Sequence, residues 1–327
     1  MATADDGVTR QAARAGFRPR SLDAINFLLA DVRGALGPYL NVFLITQQHW
    51  SQTEVGWVTT LSGLLGLVAQ TPAGAAIDST HRKRGAVVLA LVVLAIGALA
   101  IFALPTFWPV MVANTAIAVV GDVFGPAVAA VTLGLYARTH LARRMGRNAA
   151  FDHAGNVAIA AAAGAVGYLF SQRTVFLLVP VFALAAAVAM LSIPQAAIDQ
   201  DRARGFADDE ARDAQGQTGR DGQRPSGYAV LLRSRPLVVF AVCAMLFHFA
   251  NAPLLPLVGQ KLAQAAPHLA TAMMSSCIMA AQLIMLPVAL AVGHTADRIG
   301  RKPILLVGFA VCQCARCFTP SRTVPRG

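Results

Sequence analysis

The chain has 327 residues, 56% of them hydrophobic and 13% charged, with a formal net charge of +11. Soluble domains carry about 25% charged residues, so this composition excludes an ordinary water-soluble enzyme and implies a chain that lives in a bilayer. The positive surplus is not a nucleic-acid footprint, because it falls in alternate loops and no basic helix or interleaved aromatic patch accompanies it.

A membrane-crossing helix needs about 20 apolar residues. Residues 1–20 are polar and carry no cleavable signal peptide, so the first apolar run serves as an uncleaved anchor. That run, roughly 22–45, is the first predicted span, and the second is roughly 52–77, opened by the capping box Ser51-Gln52-Thr53-Glu54. The third to sixth follow at roughly 85–104, 107–136, 148–170 and 174–193. Residues 194–235, rich in Arg, Asp, Gln and Gly, read as a mobile polar linker. The seventh and eighth spans are roughly 237–259 and 269–292, with Pro253 and Pro256 expected to kink the seventh. Pro303 opens a ninth helix, as proline suits a first helical position.

Loop charges set an orientation. Arg10, Arg14, Arg18 and Arg20 precede the first span, and Arg82, Lys83 and Arg84 follow the second. Arg138, Arg143, Arg144 and Arg147 follow the fourth, and Arg298, Arg301 and Lys302 follow the eighth. The linker adds further arginines, whereas the intervening loops offer only Arg173 and Lys261. The positive-inside rule then puts the N-terminus and the linker in the cytoplasm of a multi-pass protein of the cell (inner) membrane.

One stretch recurs. Gly293-His294-Thr295-Ala296-Asp297-Arg298-Ile299-Gly300-Arg301-Lys302 is echoed in register by Gly74-Ala75-Ala76-Ile77-Asp78-Ser79-Thr80-His81-Arg82-Lys83. Gly74 matches Gly293, Asp78 matches Asp297, Arg82 matches Arg301 and Lys83 matches Lys302. Arg298 and Gly300 have no counterpart, since Ser79 and His81 stand in their places. Each copy ends one apolar segment and precedes another, which marks two related halves.

The pattern resembles the signature of the major facilitator superfamily, which links the second and third helices and is echoed between the eighth and ninth. The resemblance covers the chain through about residue 311. It implies an all-α polytopic membrane protein, a major-facilitator-type helix bundle with eight full transmembrane helices and a partial ninth. Residues 1–193 would be the N-terminal six-helix half, 194–235 the cytoplasmic linker and 236–311 an incomplete C-terminal half. It also implies that helices 1, 4, 7 and 10 line a central cavity, and that the two motif copies act as a cytoplasmic gate.

Ionisable groups inside a bilayer are costly, so each is a candidate for function. Arg33, Asp122 and His248 lie near the middles of spans 1, 4 and 7, where the resemblance places the solute. Arg33, Gly37 and Asn41 share a helical face. Arg33 would bind an anionic group or neutralise Asp122, while Asp23 and Asp31 point elsewhere; the alternative for Arg33 and Asp31 is a static interhelical ion pair. Asp122, in Gly121-Asp122-Val123-Phe124-Gly125-Pro126, reads as a proton or substrate carboxylate, or as a hydrogen-bonded structural group. His248 shares a face with Asn251 and reads as a proton-coupling residue or a satisfied interior histidine. Asn148, Asp152 and Asn156 form a polar stripe on span 5, with Asn148 read as a cap and Asp152 as a carboxylate at a positive helix N-terminus. Gly155, Gly164 and Gly167 lie on the same span but do not form the glycine run that marks drug/proton antiporters of this family.

No G-x-S-x-G, H-E-x-x-H or P-loop occurs, so neither enzymatic chemistry nor ATP-driven transport is expected, and no cofactor or metal is expected. Five cysteines suggest no disulfide framework. The reading is a secondary transporter of a small-molecule solute, coupled to protons, with the lipid bilayer as its other partner and no nucleic acid. The alternative is a non-transporting membrane fragment or sensor-like protein derived from such a transporter. The apolar run 304–311 is broken by Gln313 and Arg316, and Cys312, Cys314 and Cys317 crowd a Pro-rich polar end. Residues 312–327 are therefore expected to be a non-native tail after a frameshift, or else the chain is a short relative that assembles with a second one.

Overall fold

The computed structural model describes residues 16–30, 36–80, 83–136, 138–199, 203, 234–251, 254–300, 303–304 and 306–308. Among them α- and 3-10 helices are the only regular elements. The N-terminal part holds α1 (Pro19–Leu29), α2 (Gly37–Thr46), α3 (Gln52–Ser79), α4 (Lys83–Ala103), α5 (Phe107–Leu135), α6 (Arg138–Leu169) and α7 (Leu178–Leu191). A 3-10 turn, Arg173–Leu177, leads into α7. The C-terminal part holds α8 (Arg235–Asn251), α9 (Leu254–Ala265) and α10 (Ala270–Ile299).

Four of the spans expected from sequence match four of these elements closely. Lys83–Ala103, Phe107–Leu135, Arg173–Leu191 and Ala270–Thr295 are long and apolar enough to cross a membrane. Their outward residues are apolar too: Leu89 and Ile96 on α4, and Leu184 and Val188 on α7, are each more than 60% exposed. A water-facing helix would be polar on that side; an apolar exterior is what lipid requires.

The capping box at α3 forms as expected. The Ser51 N–H donates to Glu54 Oε2 at 2.8 Å and the Glu54 N–H donates to Ser51 Oγ at 3.2 Å.

Several expectations need correction. The first span is not one helix. Ala30 closes α1 at ψ −118° and Leu36 takes a left-handed φ of 59°. Pro38 marks the restart: proline has no N–H to continue a ladder from α1 and suits the first turn of a new helix. The fifth span begins at Arg138, so the basic run Arg143-Arg144-Met145-Gly146-Arg147 is helix rather than loop. The seventh is two helices, α8 and α9, which flank the Ala252-Pro253 step. The repeated motif is only half a loop, for Gly74–Ser79 completes α3 and Gly293–Ile299 completes α10. Gly300 then ends α10 at φ +85°, a conformation glycine adopts without strain. The start of the linker is packed: Ala197 and Ile198 are buried, and the Asp199 N–H donates to Gly134 O at 3.0 Å. Most of the rest of the linker, and the tail 312–327, lie outside the described residues.

The core of the N-terminal part is one continuous cluster that includes Leu22, Ile25, Tyr39, Phe43, Phe124 and Phe176. Phe43 of α2 meets Phe176 edge-on at 5.4 Å. α3 and α4 pack on α5, while α1 packs on α6 and α7. The C-terminal part joins through α10, which lies along α6, and through α9, which lies along α2.

Candidate functional site

The α6–α10 seam is where the two parts of the chain meet, and its closeness follows from small residues. A Cβ on Gly146 would stand 2.6 Å from Gly293 Cα, so the two backbones touch there. Further along, a Cβ on Gly164 would meet the Ser275 side chain and one on Gly167 the Thr271 side chain. Small residues at a crossing let helices approach closely in lipid. Polar contacts tie the same seam. The imidazole of His153 donates from Nδ1 to Gln282 Oε1 at 2.5 Å, and Tyr39 OH of α2 lies 2.9 Å from Ser275 Oγ. At the end away from the motif copies, Gln172 accepts from Thr46 Oγ1 and donates to Pro267 O at 3.1 Å.

On one flank of this seam α1, α5 and α6 enclose a cleft of about 240 Å³. Asn26, Asn148 and Asp152 give it polar walls, and Gly125 and Ala129 give it an open side on α5. Asp122 stands one turn beyond Gly125 on the same stripe of α5. It is half-buried and makes no hydrogen bond or ion pair among the described residues. Two members of the Asn148/Asp152/Asn156 stripe of α6 thus line this cleft, and the third, Asn156, donates to Asp152 Oδ2 at 3.4 Å. The cap reading of Asn148 does not hold, because the helix starts at Arg138 and Asn148 lies well inside it. Its amide instead donates to Thr132 Oγ1 at 3.0 Å and its oxygen accepts from Arg144 Nε at 2.8 Å. Asp152 likewise lies well inside α6.

Asn148 belongs to a network that sequence reasoning missed. Asp23, buried on α1, accepts from Arg144 Nη2 at 2.7 Å and from Arg147 Nη2 at 2.7 Å. Arg144 also lies over the Tyr136 ring at 5.2 Å. Burial pushes the Tyr136 phenol above its ordinary value, and the neighbouring Arg144 charge pulls against that rise. The signal was present: an aspartate within an apolar run demands a partner, and Arg144 and Arg147 sit three apart on one helix face.

The other sequence candidates are not gathered here. Asn41 on α2 is buried, and its Oδ1 finds no hydrogen-bond partner among the described residues. His248 is exposed on α8, with Phe247 edge-on at 5.7 Å. Lys83 and Gly74 fall on α4 and α3, and Gly293, Arg298 and Gly300 on or just after α10. Arg33, Arg82, Arg301 and Lys302 lie outside the described residues, as do the side chains of Asp78, Asn251 and Asp297.

A helical chain with apolar outer faces, a polar interior cleft and two motif-bearing parts is a polytopic membrane protein. A profile described as Major Facilitator Superfamily matches residues 22–318, and the chain belongs to that family. It is also similar to two uncharacterized MFS-type transporters of Mycobacterium tuberculosis, from strain CDC 1551 / Oshkosh and strain ATCC 25618 / H37Rv. It is 45% identical to each over 292 residues, which is 89% of this chain and 68% of each relative. The expected family is thereby established, and with it a multi-pass membrane transporter class whose members bind small-molecule substrates.

Proposed function

We propose that this chain is built as a secondary active transporter that moves a small solute by alternating access, with protons as the coupling ion. The observation that carries this reading is the α6–α10 seam. A backbone-to-backbone crossing at Gly146 and Gly293 would serve as a joint about which two halves rock, and a polar cleft lies on its flank. Eight full spans and a partial ninth remain the count favoured by hydropathy. In this reading the two motif copies latch one state: Gly74 with Asp78, Arg82 and Lys83, and Gly293 with Asp297, Arg298, Gly300, Arg301 and Lys302. Asn148, Asp152 and Asn156 would line the solute or proton path beside Asp122. Arg33, Asn41, His248 and Asn251 would complete it from the other spans.

Asp122 is the proposed proton site, because it is a part-buried carboxylate on a membrane-spanning helix with no partner among the described residues. In proteoliposomes holding a trapped pH dye and offered a panel of small solutes, Asp122→Asn is expected to abolish accumulation driven by a pH gradient. Solute counterflow should persist, since it needs no net proton transfer. Undiminished gradient-driven accumulation would make Asp122 structural.

The proposed orientation, with both the N-terminus and the 194–235 linker in the cytoplasm of the cell membrane, rests on the loop charges. With the five native cysteines replaced by Ser, a single Gln215→Cys should resist an impermeant thiol reagent added to intact cells and react once the cells are opened. Labelling from outside would invert the topology.

A further inference from the structure

We propose that a basic groove on the flank of α6 opposite the polar cleft binds the headgroup of an anionic phospholipid. The two flanks are distinct. Met145, Asn148, Ala149 and Asp152 face the cleft, whereas Arg143, Arg147, Ala150 and Ala154 face the groove, and the Gly146–Gly293 crossing separates them. The groove encloses about 690 Å³ between α6 and α10. Its chemistry changes along its length. At the motif end it is cationic, with Arg143 and Arg147 on its rim beside His140 and His294. One to two turns deeper its walls are apolar, formed by Phe151 and Ala154 of α6 and by Leu286 and Leu290 of α10.

Charge is left over at the rim. Among the described residues Arg144 and Arg147 share one carboxylate, Asp23, and Arg143 pairs with none. Arg143 is exposed and makes no hydrogen bond or ion pair among the described residues. Arg147 is pinned over the Phe151 ring at 5.4 Å, and its guanidinium remains half exposed beside the groove. A cationic rim above apolar walls matches a molecule with a phosphodiester at one end and acyl chains at the other. A free anion would leave the apolar walls empty, and a neutral lipid would leave the surplus charge unmatched. Basic side chains near anionic lipid each contribute measurable attraction, and a fork-shaped guanidinium is suited to phosphate oxygens. This inference needs only that the chain spans a membrane, and it stands or falls independently of transport.

The full chain, purified in a neutral detergent, is titrated with phosphatidylglycerol or phosphatidylcholine, and bound lipid is counted by native mass spectrometry alongside the thermal midpoint. Phosphatidylglycerol is expected to bind more tightly and to raise the midpoint, while inorganic phosphate at equal concentration does not. Arg143→Gln should weaken phosphatidylglycerol binding about fivefold, and Arg143→Lys should retain most of it. Lys261→Gln removes an exposed positive charge from α9, away from the groove, and should leave binding unchanged. Arg143 has no partner to lose among the described residues, so the variant is expected to fold, which its unaltered lipid-free midpoint checks. The proposal is overturned if both lipids bind alike, if Lys261→Gln weakens binding as much as Arg143→Gln, or if phosphate matches phosphatidylglycerol.

Discussion

Gly155→Ala should destabilise the folded bundle by about 3 kcal/mol, at the upper end of the usual range for overpacking. A Cβ at this position would stand 2.0 Å from the carbonyl oxygen of Phe27. The obstruction is backbone, not the flexible end of a side chain, so α1 and α6 must part to admit one methyl group. Parting them also strains the Asp23 ion pairs, which bridge the same two helices. Gly63→Ala on α3 is the matched control, because nothing lies within 4 Å of a Cβ built there. It should be neutral or stabilise by about 0.5–1 kcal/mol through helix propensity. Chemical unfolding of both variants in detergent tests the contrast. A Gly155→Ala midpoint equal to wild type would mean that α1 and α6 do not meet as described.

Asp23→Asn is the second large effect, about 3–5 kcal/mol of destabilisation. The side chains of Arg144 and Asp23 are 4% and 6% exposed, so removing the carboxylate strands a guanidinium where water cannot reach it. Arg147→Gln should cost less, under about 1 kcal/mol, because that side chain is 53% exposed and largely solvated. Replacing the pair together, Asp23→Leu with Arg144→Met, should recover much of the loss, since no buried charge is left unpaired. Unfolding midpoints of the single and double variants give the coupling directly. Additive losses would show that Asp23 and Arg144 do not act as a pair.

Much of the fold was legible because its strongest determinant is local. Lys83–Ala103 and Phe107–Leu135 announce themselves by continuous apolarity, and the predicted boundaries fall within a few residues of the observed ones. The family was legible in the repeated Gly-Asp-Arg motif, and the profile and relatives support it. Boundaries failed where charge and helix coincide. Arg143, Arg144 and Arg147 look like a loop by hydropathy, yet each finds a helical place: two bind Asp23 and the third faces a groove. The break after Ala30 hid within an apolar run, where Gly37-Pro38 was its trace. The Asp23–Arg144 pair spans 121 positions, a separation no periodicity connects. Gly155 looked like a failed antiporter motif, but its reason is steric and lies in a carbonyl of another helix.

The interrupted first span has a mechanical consequence. Ala30 and Leu36 are both non-helical, so no continuous hydrogen-bond ladder links α1 to α2. α1 is fastened to α6 and α7, whereas the main neighbours of α2 are α9 and α10. One stretch of polypeptide therefore works as two members of a linkage rather than as a rigid rod. A movement of the C-terminal helices would act on α2 with no rigid helical rod to carry it to the Asp23 anchor. The part held by α6 and α7 and the part held by α9 and α10 are separated within a single apolar run.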